Sequence, residues 1–274
     1  MLYLVATPIG NLGDFSFRAI ETLKTCDYIL CEDTRHSRIL LQHYSIDIPL
    51  YSFDKFKEAQ KEERVIGDLQ EGKNVALISD AGTPLISDPG EALVKRCREL
   101  NLEVTAIPGA SAVTTALILS GLPAAPFQFI GFLPKKQQEL QHTLSRALFY
   151  RGTTICYESP HRIVETLTEL QKLSPSTPLC IARELTKQYE ECLSGTAQEL
   201  LEHFEKHPPR GEMVLLLAPL PPAHPFEEWD LKQLVAHLQD ELSLSKSEAI
   251  KLAAEFHHIP KRQVYKEFFN TEEN

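Results

Sequence analysis

At 274 residues, 43% hydrophobic and 24% charged, the chain has the composition of an ordinary globular protein, with room for two domains that each bury a core. A formal net charge of −10 excludes a surface coated in basic residues for nucleic acid, and leaves a local basic site open. No run of about 18 apolar residues occurs, so no membrane span is expected.

Leu2 to Ala6 is a short apolar run that passes directly into Thr7-Pro8-Ile9-Gly10-Asn11-Leu12-Gly13-Asp14 and then into a helix-like segment from Phe17 to Cys26. Without a basic stretch before it, this run is too short for a signal peptide, and a cytoplasmic location is expected by default. Gly10-x-x-Gly13 has the spacing of an RNA-clamping KH loop, but GxxG is common by chance and a turn is the better reading. Tyr28 to Cys31 forms a second apolar run. It ends in Glu32-Asp33-Thr34-Arg35-His36-Ser37-Arg38, which is either a solvated helix start capped by Asp33 or Thr34, or a loop facing a substrate. Residues 54 to 72 are charged and helix-prone. Val75 to Ile78 then leads through Ser79-Asp80-Ala81-Gly82-Thr83-Pro84-Leu85-Ile86-Ser87-Asp88-Pro89-Gly90 to a helical segment, Glu91 to Leu100. This strand, constrained loop and helix make half of a βαβ unit, and ligands of open parallel sheets lie outside the carboxyl ends of the strands.

Glu103 to Ile107 repeats the pattern, with Pro108-Gly109-Ala110-Ser111-Ala112 opening a helix of small residues. Ser120-Gly121-Leu122-Pro123 breaks that helix and marks an expected domain boundary, giving domains over 1–119 and 120–218. The second half alternates in the same way: strand Phe127 to Phe132, helix Gln137 to Phe149, strand Thr153 to Tyr157, an amphipathic helix from Ile163, strand Leu179 to Ala182, and strand Met213 to Ala218. Pro219, Pro221, Pro222 and Pro225 make a stiff linker over 219–225. Three short helices follow in 226–274, separated at Ser243, Ser245 and His257-His258-Ile259-Pro260. Their short turns resemble a helix-turn-helix. With six Lys or Arg against ten Asp or Glu, docking onto the rest of the protein or its partner subunit is favoured over duplex binding.

The six cysteines, Cys26, Cys31, Cys97, Cys156, Cys180 and Cys192, include no CxxC pair, and Cys156 and Cys180 read as small buried hydrophobes. The ten histidines contain no HExxH, so metal dependence is unsupported. No P-loop is present, no GxGxxG follows a strand, and the glycine signature of the common methyltransferase fold is missing. The loops Thr7–Gly13, Ser79–Pro89 and Pro108–Ala112 lack clustered basic residues, so a ligand gripped there should be neutral, zwitterionic or cationic. Basic residues crowd a second set of loops: Arg35 and Arg38, Lys135 and Lys136, His161 and Arg162, Arg183 and Lys187. These either share one rim that faces an anionic polymer or form ordinary surface pairs with neighbouring carboxylates.

The motifs Leu4 to Asp14, Glu32-Asp33-Thr34-Arg35, Ser79 to Gly90, Pro108 to Ala112, Ser120 to Pro123, Gly131-Phe132-Leu133-Pro134-Lys135, Tyr157-Glu158-Ser159-Pro160-His161-Arg162 and Arg183-Glu184-Leu185-Thr186-Lys187 closely resemble those of the ribosomal RNA small subunit methyltransferase I family, within the tetrapyrrole methylase superfamily. The match runs from Leu2 to about Ala218 in the family's order. It implies a two-domain α/β, tetrapyrrole-methylase-like (class III methyltransferase) fold with a small C-terminal helical region. It also implies a homodimer, S-adenosylmethionine bound in the cleft between the domains, and methyl transfer to the ribose 2'-hydroxyl of a cytidine in small-subunit (16S) ribosomal RNA.

Carried over position by position, the resemblance implies cofactor contacts at Pro8, Gly10, Thr83, Ile86, Ser111, Ala112, Tyr157, Ala182 and Met213. Tetrapyrrole-modifying relatives carry an Asp where this chain has Thr83. A ribose hydroxyl is a poor nucleophile until its proton is removed, so Glu158, Glu184 and Lys187 are the candidate bases, with Lys187 qualifying if burial lowers its pKa. Arg35, Arg162 and Arg183 are the candidate phosphate ligands. A methylase of a small molecule or a protein side chain, and a non-catalytic RNA-binding assembly factor, are the alternatives.

Overall fold

Strands and helices alternate through most of the chain in a computed structural model that describes all residues except 54–57, 220–229, 243, 258 and 270–274. The expected linker over 219–225 lies, apart from Pro219, outside the described residues, as do Ser243 and His258 of the expected turns. The chain divides into two compact units, one of residues 1–115 with 184–190, the other of 116–183 with 191–274.

In the first unit β1 (Leu2–Val5), β2 (Tyr28–Cys31), β3 (Leu50–Ser52), β4 (Val75–Ile78) and β5 (Val104–Ile107) form a sheet in the order β3-β2-β4-β1-β5. Each neighbouring pair is parallel. The helices between them, α1 (Phe17–Lys24), α2 (Thr34–His43), α3 (Glu58–Gln70) and α4 (Glu91–Glu99), cover both faces. This explains why β2 and β4 are apolar at every position: a parallel strand buried on both sides has no solvent face to mark. Along β4, Ala76 and Ile78 enter a core with Leu23 and Leu41, while Val75 and Leu77 enter another with Leu69 and Leu93. Asp33 caps α2, its carboxylate accepting from the Arg35 N–H at 2.8 Å. β3 is a three-residue edge strand that the sequence pattern does not signal.

The second unit follows α5 (Ala112–Leu119), within which the division falls. Its strands β6 (Phe127–Phe132), β7 (Thr153–Glu158), β8 (Leu179–Arg183), β9 (Glu191–Gly195) and β10 (Met213–Leu217) order as β6-β7-β10-β8-β9. β6 and β7 are parallel, whereas β10 runs antiparallel to both β7 and β8, and β9 antiparallel to β8. The carboxyl ends of β6, β7 and β8 therefore share one edge with the amino ends of β9 and β10.

α6 (Gln137–Phe149), α7 (Ile163–Leu173) and α8 (Ala197–Lys206) pack on this sheet. Leu140, Leu144, Leu167 and Leu170 are fully buried, worth about 1.5–3 kcal/mol each in transfer free energy. The tail helices α9 (Leu231–Leu242), α10 (Lys246–Phe256) and α11 (Lys261–Phe269) place Leu234, Leu238, Ile250 and Val264 in that same core. Their apolar faces are thus spent on docking to the second unit, the reading that the tail's acidic balance favours. β9 and α8 are not among the elements that the apolar runs predict. Yet α8 announces itself by the capping box Thr196-x-x-Glu199, followed by the buried Leu200 and Phe204 one turn apart.

Candidate functional site

Parallel pairing brings the loops after β1, β4 and β5 to one edge of the first sheet, and short bonds tie them to one another. Thr7 and Gly82 exchange both backbone hydrogen bonds, at 2.8 and 3.1 Å. The buried Thr7 hydroxyl donates to the Ser79 carbonyl at 3.2 Å, the Ser79 hydroxyl to the Gly82 carbonyl at 3.0 Å, and the Thr83 hydroxyl to the Ala110 carbonyl at 3.2 Å. Gly82 has φ of 84°, and a Cβ on Gly109 would lie 2.9 Å from that of Ala6. Close backbone approach thus depends on residues without side chains. Gly10-x-x-Gly13 is a turn, with a single 3-10 turn at Leu12–Asp14 capped by Asn11.

Among the described residues six non-glycine residues have positive φ. Ser45 and Asn101 follow the ends of α2 and α4, where the left-handed conformation closes a helix. Leu85 and Ser87 (both 73°), Glu184 (50°) and Thr186 (64°) have no such role; a conformation of this kind costs on the order of 1–3 kcal/mol. They occupy two segments of the first unit, the loop after β4 and residues 184–190. Gly10 is enclosed by that second segment: a Cβ there would lie 2.5 Å from Lys187 Cγ and 2.9 Å from both the Leu185 carbonyl oxygen and Thr186 Oγ1. Within it, Lys187 Nζ pairs with Glu184 at 3.1 Å and the Thr186 N–H donates to Glu190 at 2.6 Å. The Thr186 hydroxyl is buried with no partner among the described residues.

At the corresponding edge of the second sheet, Glu158, Met213, Arg183 and Glu191 lie in one row across β7, β10, β8 and β9. Tyr157, Val214 and Ala182 form the next row inward. Arg183 pairs with Glu191, Nη2 to Oε2 at 2.6 Å. The Glu158 side chain is 1% exposed and accepts from the Ser159 N–H and the Thr166 hydroxyl, each at 2.8 Å, with Arg162 Nη1 at 3.4 Å.

The candidate site residues therefore sort by unit. Pro8, Gly10, Thr83, Ile86, Ser111 and Ala112, with Glu184 and Lys187, lie in the first; Tyr157, Ala182, Met213, Glu158, Arg162 and Arg183 lie in the second. Pro8 is buried, and Ile86 is an exposed apolar side chain on the loop after β4. Of the basic residues, Lys135, Lys136, His161, Arg162 and Arg183 share the edge of the second sheet, and several are already engaged. Arg162 donates to the Leu133 and Pro134 carbonyls, and Lys136 pairs with Glu139 at 3.0 Å. Arg35, at the carboxyl end of β2, grips Asp33 through Nε and Nη2 at 3.0 and 2.6 Å, and this holds the Asp33 carboxyl well below the usual carboxylate range.

Burial pushes the Cys31 thiol up to about 11, while Cys156 and Cys180 are fully enclosed. Among the described residues no group of three or more His, Cys, Asp and Glu is placed to hold a metal ion. α8 carries a His203-x-x-x-His207 pair, against the expectation that no HxxxH spacing is present, and its rings stack at 4.7 Å between centroids. No helix among the described residues is long and apolar enough to cross a membrane. Neither the Thr7–Gly82 bridge nor the closeness of Thr186 to Gly10 is among the features expected from the sequence. The repeated Thr-Pro-aliphatic tripeptide at Thr7 and Thr83 is the signal for the first, and the second has none.

Residues 1–201 match the family of tetrapyrrole (corrin/porphyrin) methylases. A Synechocystis protein named ribosomal RNA small subunit methyltransferase I is 45% identical over 268 residues, covering 97% of this chain and 96% of its own. Proteins of the same name from Escherichia coli O157:H7 and Bacillus subtilis are 43% and 40% identical, over 97% of this chain and 93% and 92% of theirs. Among solved structures, diphthine synthase aligns with a TM-score of 0.61 at 14% identity, over 80% of this chain and 90% of its own. Uroporphyrin-III C-methyltransferase from Thermus thermophilus, complexed with S-adenyl homocysteine, aligns at 0.56 and 17% identity, over 79% and 96%. At these identities the structures speak for the two-sheet α/β fold alone.

Proposed function

Because the chain belongs to the tetrapyrrole methylase family and, within it, groups with the ribosomal RNA small subunit methyltransferase I proteins, we propose that it is an S-adenosylmethionine-dependent methyltransferase of small-subunit ribosomal RNA. The observation that carries this reading is identity above 40% to proteins of that name along nearly their whole length. The proposed acceptor is the ribose 2'-hydroxyl of a cytidine. A cytoplasmic, homodimeric enzyme completes the proposal. Exposed Ile118, Phe127 and Phe132 on the second unit are apolar surface of the kind a dimer covers.

The first unit fits such a cofactor. No Lys or Arg occurs in residues 1–17, 74–94 or 99–134, so the loops after β1, β4 and β5 offer carbonyls, hydroxyls and glycine-shaped hollows rather than a phosphate cradle. Pro8, Gly10, Thr83, Ile86, Ser111 and Ala112 would hold the cofactor in the first unit, and Tyr157, Ala182 and Met213 in the second. When bound, S-adenosylmethionine supplies a methyl carbon made electrophilic by its sulfonium. The protein's share is alignment of the ribose oxygen with that carbon, from which much of the acceleration can come, and removal of the hydroxyl proton.

Of the three candidate bases, Glu158 is sealed and has both oxygens occupied. Glu184 and Lys187 lie 3.1 Å apart, with Lys187 beside Gly10, and are the pair to which we assign the proton. Incubation with methyl-labelled cofactor and small ribosomal subunits at several assembly stages tests the reading. Label is expected in the RNA, at one linkage made resistant to alkali by the 2'-methyl group. Its absence from RNA in every substrate would refute the proposal.

A further inference from the structure

Arg162 stands in a motif whose basic residues would ordinarily be assigned to phosphate, but its guanidinium is turned inward. Nη1 donates to the Leu133 carbonyl at 3.0 Å, Nη2 donates to the Pro134 carbonyl, and Nη1 also lies 3.4 Å from Glu158 Oε1. Its side chain is 19% exposed and that of Glu158 is 1% exposed. The Glu158 carboxylate is fixed in turn, Oε1 by the Ser159 N–H and Oε2 by the Thr166 hydroxyl from the first turn of α7. The chain before Leu133 is irregular: the β6–β7 register shifts between Phe129 and Phe132, and Gly131 has φ of 71°. Leu133 keeps one backbone bond to the Tyr157 carbonyl, at 3.4 Å, and Pro134 has no N–H to offer. Two consecutive carbonyls leaving a sheet edge need donors, and Arg162 supplies both.

We propose that Arg162 is a positioning residue: with Glu158 as its buried counter-charge and Thr166 as the brace, it clamps the loop after β6 to the loop after β7. The phosphate-facing charge of this edge then falls to Lys135, Lys136 and His161, which are exposed. The clamp also keeps the Phe132 ring against Tyr157, 5.3 Å between centroids, so loosening it disturbs a residue proposed to touch the cofactor. The RNA half of this inference rests on the function proposed above; the clamp itself does not.

Two readouts separate a clamp from a phosphate ligand: amide hydrogen exchange over residues 131–140, and the salt dependence of rRNA-fragment binding. Arg162→Gln and Thr166→Val should each speed exchange there by about tenfold or more, the worth of one charge-assisted hydrogen bond, and weaken RNA binding with the slope of log K against log salt unchanged. Arg162→Lys, which can donate to one carbonyl but not hold the fork, should fall between. Lys135→Gln with Lys136→Gln should do the reverse, leaving exchange as in the wild type and reducing the slope by about 0.7 for each phosphate released. The proposal is overturned if Arg162→Gln lowers the slope by about 0.7 with exchange unaltered. Should Arg162→Gln fail to fold, Thr166→Val decides, since it keeps the Arg162 charge: wild-type exchange in that variant sinks the clamp. If the wild-type protein binds no rRNA, the proposed function fails, and the exchange results still judge the clamp.

Discussion

Both sheets end in loops at the carboxyl edge of their parallel strands, and the two edges are put together differently. In the first, the loops after β1, β4 and β5 are joined by hydroxyls of Thr7, Ser79 and Thr83 donating to carbonyls, and by glycines that let backbones touch. In the second, Arg162 with Glu158 and Arg183 with Glu191 do the joining. Joints made of neutral hydrogen bonds fix shape and are indifferent to salt. A charged edge spends most of its cations internally, so counting basic residues overstates what it can offer an anion. Arg35 makes the same point in the first unit, since its guanidinium is bidentate on Asp33.

Beside the loops after β1, β4 and β5, which carry no cation of their own, Glu184 pairs with Lys187, and changing that pair should have the largest effect. Glu184→Gln removes a proton acceptor and Lys187→Met its partner. If the pair takes the ribose proton, turnover falls by about 10²–10⁴ while the cofactor Kd stays near the wild-type value. Wild-type turnover in both variants would remove the pair from the chemistry and leave it as an ordinary surface contact. The next effect is steric. Gly10→Ala drives a methyl group to 2.5 Å from Lys187 Cγ and 2.9 Å from the Leu185 carbonyl, whereas Gly13→Ala meets only its neighbour Asn11 at 3.2 Å. Overpacking of this kind costs about 1–3 kcal/mol. Calorimetry should show cofactor affinity falling by about five- to a hundredfold for Gly10→Ala, and changing little for Gly13→Ala.

How far the sequence reveals this depends on whether a feature is local. Strand, loop and helix follow one another in phase with the apolar runs, so β6 and α6 have the limits the pattern predicts, and the capped α2 is visible at Asp33. β3 and β9 are invisible because they are short edge strands, β9 half-exposed along its length, with little apolar signal to carry. Whether a charged side chain faces solvent or its own fold is decided by partners far away in sequence. Arg162 reads as a phosphate ligand until the carbonyls of Leu133 and Pro134, some 28 residues earlier, are found against it. The grouping of residues 184–190 with the first unit, when both flanking strands belong to the second, is likewise a property of the fold and of no motif.

The first unit does contain a dense charged cluster, but at the opposite edge of its sheet. Asp68 accepts from the Tyr28 hydroxyl at 2.8 Å and from Lys73 at 2.5 Å, next to the Met1 ammonium, which donates to the Lys73 carbonyl at 2.7 Å. The Lys73 hydrogen bond holds the Asp68 carboxyl below its ordinary value, against the opposing push of partial burial. A carboxyl depressed in the folded state binds its proton more weakly there than in the unfolded chain. Its contribution is therefore complete above the unfolded value, about 3.9, and is lost as pH falls through the lower folded one. Urea melts of wild type and Asp68→Asn should differ by a constant amount from neutral pH down to about 5, and the gap should close on further acidification. Cofactor affinity near neutral pH should be the same in both proteins, because the cluster and the carboxyl-edge loops lie at opposite ends of the same strands. A gap that persists unchanged into acid would mean that Asp68 contributes through packing rather than charge, and a loss of cofactor affinity would mean that the two edges of the first sheet are coupled.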